Sequence, residues 1–81
     1  MSEIKNAVVE RFRDICTDRG IAVNELANRA GITPSTVYSL FDSKRKNVYI
    51  KTIKILCDGL NISLAEFFDA DIFDDLEQEI K

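Results

Sequence analysis

Apolar residues recur at helical spacing from the start of the chain. Ile4, Val8, Phe12 and Ile15 form one stripe, flanked by Ala7 and Cys16, and predict an amphipathic helix over residues 3–19. Ser2 and Glu3 suit its start, and Gly20 after Arg19 suits its end as a left-handed cap. Val9 lies off the stripe, exposed or facing a partner. A second helix is predicted from Val23 to Ala30, with Leu26 and Ala30 inward and Ala27 small enough for close helix contact. Gly31 ends it, Ile32 plugs the corner, Thr33 is a suitable N-cap, and Pro34 fits the first position of a third helix. On that third helix Val37 and Leu40 point inward, while Ser35, Thr36, Tyr38 and Ser39 point outward.

The rest of the chain continues the pattern. A basic loop, Ser43-Lys44-Arg45-Lys46-Asn47, precedes a fourth helix from about Tyr49 to Gly59. Ile50, Ile53, Leu56, Cys57 and Leu60 are its inward set, and Lys51 and Lys54 its outward set, with Ile55 an apolar residue on the outer side. Ser63-Leu64-Ala65-Glu66 has the form of a capping box and starts a short helix through Phe68. In the tail, Ile72, Phe73, Leu76 and Ile80 again stand at helical spacing. Asp71 would cap that last helix, with Asp74 and Asp75 near its positive end. The expected fold class is all-α: five helices and a short C-terminal extra helix, divided into a domain over residues 1–70 and an acidic helical tail over 71–81.

Composition supports a helical domain and restricts its chemistry. Three glycines and one proline leave little material for turns, which favours helices with short connections. With no histidine and no paired cysteines, Cys16 and Cys57 suit a reduced core better than a zinc site. The N-terminus does not resemble a signal peptide, and no apolar run reaches membrane length, so a cytoplasmic protein with no membrane partner is expected. No nucleophile–base pair, phosphate-binding glycine loop or metal spacing appears, so neither an enzyme nor a cofactor is expected. Asp74, Asp75 and Glu77 cluster in the tail without an evident pocket.

Charge is split along the chain. Residues 1–54 hold ten Lys/Arg against six Asp/Glu, whereas residues 55–81 hold one against eight. The net charge of −3 conceals this division, which points to two surfaces with different partners.

Leu26, Ala27, Ala30, Gly31, Ile32, Val37 and Leu40 stand where the phage-repressor helix-turn-helix family (lambda repressor/Cro type, also called the Xre family) has its motif positions. The flanks are also similar: Ile21 ahead of the motif, the Lys-rich loop behind it, then Cys57-Asp58-Gly59-Leu60 and Ser63-Leu64-Ala65-Glu66-Phe67-Phe68. The chain resembles this family over about residues 4–69. The resemblance implies a five-helix domain that lays its third helix in the major groove of double-stranded DNA. Thr33, Pro34, Ser35, Thr36, Tyr38 and Ser39 would then face the groove, with Tyr38 the longest outward side chain. Asn24, Lys44, Arg45 and Lys46 would meet phosphates.

The sequence also departs from the family. Ala22 and Val23 replace the frequent Ser/Thr–Gln pair at the start of the second helix, so the phosphate clamp is either missing or moved to Asn24. The third helix lacks Arg, Gln and Asn, the side chains of bidentate base contacts, and closes with Phe41-Asp42-Ser43 in place of an acidic-Asn-Gly ending. DNA shape and water would then carry more of the readout.

Two functions compete at this point. One is a sequence-specific transcriptional regulator acting as a homodimer, with Phe67, Phe68, Ile72, Phe73, Leu76 and Ile80 at the dimer interface. The other is a protein-interaction module of antitoxin or anti-repressor type, whose acidic, aromatic-rich C-terminus binds another protein. The tail also admits a plainer reading, a solvated helix packed on its own domain.

Overall fold

The computed structural model of the chain describes residues 3–42, 44, 47–76 and 78. Among them are five α-helices: α1 (Ile4–Arg19), α2 (Val23–Ala30), α3 (Pro34–Phe41), α4 (Ile50–Leu60) and α5 (Leu64–Phe68). One 3-10 turn, Asp71–Phe73, follows α5.

Three helix ends share one device. Gly20, Gly31 and Asn61 each take left-handed backbone, and the isoleucine after each donates its N–H to a carbonyl five residues back. Ile21 reaches Cys16 O, Ile32 reaches Ala27 O, and Ile62 reaches Cys57 O. Each isoleucine then packs against the core, so every cap also plants an apolar plug. Asn61, at φ 59°, does in αL what glycine does at the other two ends, since Asn tolerates that region better than most side chains.

The core joins all five helices. Val8, Phe12, Leu26, Ala27, Val37, Leu56, Cys57, Leu60 and Phe67 are fully buried in it. Burying a side chain of this size contributes about 1.5–3 kcal/mol, so these positions dominate folding. The Phe12 and Phe67 rings meet with centroids 4.4 Å apart, and Phe68 and Phe73 extend the aromatic cluster outward. Burial raises the Cys16 thiol and pushes Cys57 up to about 11, with Asp58 beside it adding to the shift. Both cysteines are free and buried.

Cations of α1 hold the ends of three other helices. Lys5 Nζ donates to Asp42 O, 3.2 Å away, at the end of α3. Arg11 donates to Phe67 O at 2.7 Å and Glu66 O at 2.9 Å, at the end of α5. Arg19 donates to Leu60 O at the end of α4. Helix C-termini carry unpaired carbonyls and partial negative charge, so a cation satisfies both at once.

Several expectations change. Helix α4 runs one residue past the expected end at Gly59, to Leu60. A Cβ there would lie 2.8 Å from the Ala30 Cα and N, which makes Gly59 the seat of a close α2–α4 approach. Ile50 is 61% exposed instead of inward: the apolar stripe continues to it, but burial on α4 begins only at Ile53. Phe67 lies in the chain's own core and is unavailable to a partner, because Phe12, Phe68 and Phe73 surround its ring. In the described part of the tail the short extra helix is a 3-10 helix, Asp71–Phe73, lying against α1, and Phe73 folds back onto Phe67 and Phe68. Ile80 lies outside the described residues. The Ser63–Glu66 capping box is present in both directions.

The Gly59 contact yields a stability test. Gly59→Ala should lower unfolding free energy by about 1–3 kcal/mol through overpacking, despite a helix-propensity gain of about 1 kcal/mol. Urea denaturation reads this directly, and a rise in midpoint would show that the two helices can separate freely.

Candidate nucleic-acid interface

Helices α2 and α3 meet through a turn set by three residues. Gly31 adopts φ 72°, ψ 26°, which reverses the chain at the end of α2, and Ile32 enters the core. Thr33 is extended at φ −75°, ψ 146°, and Pro34 opens α3 where a missing N–H costs nothing. Leu26, Ala27 and Val37 are fully buried between the helices, so the opposite face of α3 is turned to solvent.

That face has its own bonding pattern. Thr33, Pro34, Ser35, Thr36 and Tyr38 are exposed, and Ser39 is half-buried. The Thr33 hydroxyl does not cap the α3 backbone. It lies 3.0 Å from both the Ser35 and the Thr36 hydroxyl, making a cluster of three hydroxyls over the first turn. Tyr38, 52% exposed, donates its hydroxyl proton to Asn24 Oδ1 and so links the outer faces of α3 and α2. Glu25 and Arg29 pair at 3.6 Å along α2; both are exposed, so the pair contributes little to stability.

The far end of α3 is gripped from α1. Besides the Lys5 bond to Asp42 O, the Arg13 guanidinium stands 5.3 Å from the Phe41 ring centroid. Lys5, Asn6, Val9, Glu10, Arg13, Asp14 and Phe41 line a shallow groove there, and Val9 is half-buried in it. Asp42 Oδ1 accepts the Lys44 N–H at 3.0 Å, which starts the basic loop with a turn. Lys44 is exposed beside α3, while Arg45 and Lys46 lie outside the described residues. On α4, Lys51 and Lys54 are exposed, and Lys54 pairs with Asp58 at 2.5 Å.

The structure therefore joins Asn24 to Tyr38 on the exposed side of α3, and Lys44 follows the far end of that helix. Sequence reasoning named Asn24 and Tyr38 separately and missed their bond. It also missed Lys5, which is 3% exposed. A signal was present: Lys5 precedes Val8 by three and Phe12 by seven, so it interrupts the apolar arc of α1. Arg19 follows Ile15 by four and Phe12 by seven and lies on the same arc. No group of three or more metal-binding side chains occurs among the described residues, and none of their helices is long and apolar enough to cross a membrane.

The family model of the Cro/C1-type HTH DNA-binding domain matches residues 11–71, which include both motif helices and everything that buttresses them except the first turns of α1. The chain belongs to the Cro/C1-type helix-turn-helix DNA-binding family. This Cro/C1-type domain is also similar to the crystal structure of prophage Lp1 protein 11, with a TM-score of 0.81 and 30% identity over 94% of this chain and 100% of that one. No curated protein sequence matches it.

The grip on α3 can be tested apart from any ligand. Lys5→Met removes a bond from a charged donor and leaves Asp42 O short of it, so stability should fall by about 1–3 kcal/mol. A denaturant midpoint equal to that of the parent would mean that Lys5 merely fills space.

Proposed function

We propose that this protein is a sequence-specific, double-stranded-DNA-binding transcriptional regulator that reads the major groove with α3 and acts as a homodimer. The observation that carries the reading is the division of α3 into a buried face, Val37 and Leu40, and a solvent-facing face, Ser35, Thr36 and Tyr38 with Thr33 and Pro34 at its start, within a Cro/C1-type domain. A helix of this kind fits the major groove, where the base edges present distinct donor and acceptor patterns. Hydroxyls of Thr33, Ser35, Thr36 and Ser39 suit base edges or phosphates, and Pro34 suits sugar or methyl packing. Asn24, Lys44, Arg45 and Lys46 are assigned to phosphates, with the three cations supplying attraction independent of sequence. The negative charge of the segment 55–81 then keeps that segment off the DNA.

Binding through about three to five phosphates gives a log–log salt slope near −3 to −4. Titration of duplex DNA at several salt concentrations should show that slope, and Lys44→Glu with Arg45→Glu should flatten it and weaken binding to every sequence. Binding indifferent to salt and to both substitutions would remove the DNA reading and favour a protein partner at the acidic end.

The dimer rests on a different surface. Ile72 and Leu76 are half-buried apolar residues in the acidic segment, and Phe68 and Phe73 show part of their rings beside them. A two-fold dimer matches operators with half-sites about 34–36 Å apart. Ile72→Asp with Leu76→Asp should convert a dimer to a monomer in light scattering. An unchanged dimer mass, or a monomeric parent protein, would contradict this interface.

A further inference from the structure

We infer that Tyr38 and Asn24 act as one recognition unit, in which the Tyr38 hydroxyl oxygen accepts a hydrogen bond from the exocyclic amino group of an adenine or cytosine. The inference rests on the DNA-binding reading above and specifies what the α3 face selects.

A phenol offers one proton and two lone pairs. In this structure the proton of Tyr38 is already given to Asn24 Oδ1, across the two helices of the motif. The hydroxyl therefore meets any further partner as an acceptor. Phosphate oxygens are acceptors too, so the hydroxyl held this way does not suit the DNA backbone. In the major groove the available donors are the N6 amino group of adenine and the N4 amino group of cytosine. Guanine presents O6 and N7 there and thymine presents O4, all acceptors that would face the Tyr38 oxygen without a proton between them.

Asn24 completes the unit from the other side. Its carbonyl oxygen holds Tyr38, and its amide nitrogen keeps two protons for a phosphate oxygen. Protons then point one way along the chain of bonds: base amino group to Tyr38, Tyr38 to Asn24, with Asn24 donating separately to phosphate. Asn24 is thus a positioning residue for Tyr38 as well as a backbone contact. Both side chains are exposed, so the duplex can approach them, and Tyr38 is long enough to extend past the short hydroxyls around it.

The test uses the full chain and duplexes selected by it from a random-sequence library. Within a selected duplex, each adenine is replaced in turn by purine nucleoside and each cytosine by 2-pyrimidinone nucleoside, which lack only the amino group. One position should cost the parent protein about three- to tenfold in affinity, and Tyr38→Phe should be indifferent to the change there. Asn24→Asp keeps the acceptor but loses the phosphate donor. It should retain the base preference while binding all sequences more weakly, whereas Asn24→Ala should lose preference and affinity together.

Tyr38→Phe with the same amino-group sensitivity as the parent overturns the inference and leaves DNA binding standing. So does selection of guanine or thymine at the position that responds to Tyr38→Phe. A parent protein that selects no duplex overturns both readings.

Discussion

The arrangement depends on α1 acting as a cationic strut. Lys5, Arg11 and Arg19 each donate to backbone carbonyls at the end of a different helix, α3, α5 and α4 respectively. These contacts join residues 37, 56 and 41 positions apart in sequence, so each closes a long loop. They work because a helix C-terminus is short of donors and partly negative. With its rear end held by Lys5 and Arg13 and its inner residues Val37 and Leu40 packed in the core with Leu26, α3 has little freedom to tilt. A rigid support of this kind is what a helix needs if its outer face is to meet a fixed pattern of groups.

The apolar register was legible in the sequence wherever periodicity and a cap agreed. Leu26, Val37, Phe12 and the Ser63–Glu66 box are where the spacing puts them. Periodicity was less informative where it could not say which element covers a face. Ile50 continues the α4 stripe yet meets solvent, while Phe67 and Phe73 fold into an aromatic cluster within the chain. Nothing in the spacing marked Gly59 as a packing residue, and only the distance to Ala30 reveals that role. The cations of α1 were visible as residues but not as donors, since their acceptors are carbonyls distant in sequence.

For the candidate site, the motif residues were readable individually and their connections were not. Hydroxyl side chains at Thr33, Ser35 and Thr36 bond among themselves, and Tyr38 bonds across to Asn24. A free amino acid of each type would offer a donor and acceptors in any direction. The fold commits some of these protons in advance, which narrows what each oxygen can recognise. Without the bidentate side chains that usually dominate direct readout, orientation of a few hydroxyls and the shape of the duplex matter more.

The central claim is that DNA meets the outer face of α2 and α3 while the acidic end stays clear. Amide chemical-shift mapping of isotope-labelled protein on addition of a selected duplex tests it most directly. The account predicts shifts at Asn24, Thr33 to Ser39 and Lys44, with Glu66 to Leu76 unmoved by the duplex. Shifts gathered at Glu66 to Leu76, with α3 unaffected, would contradict it.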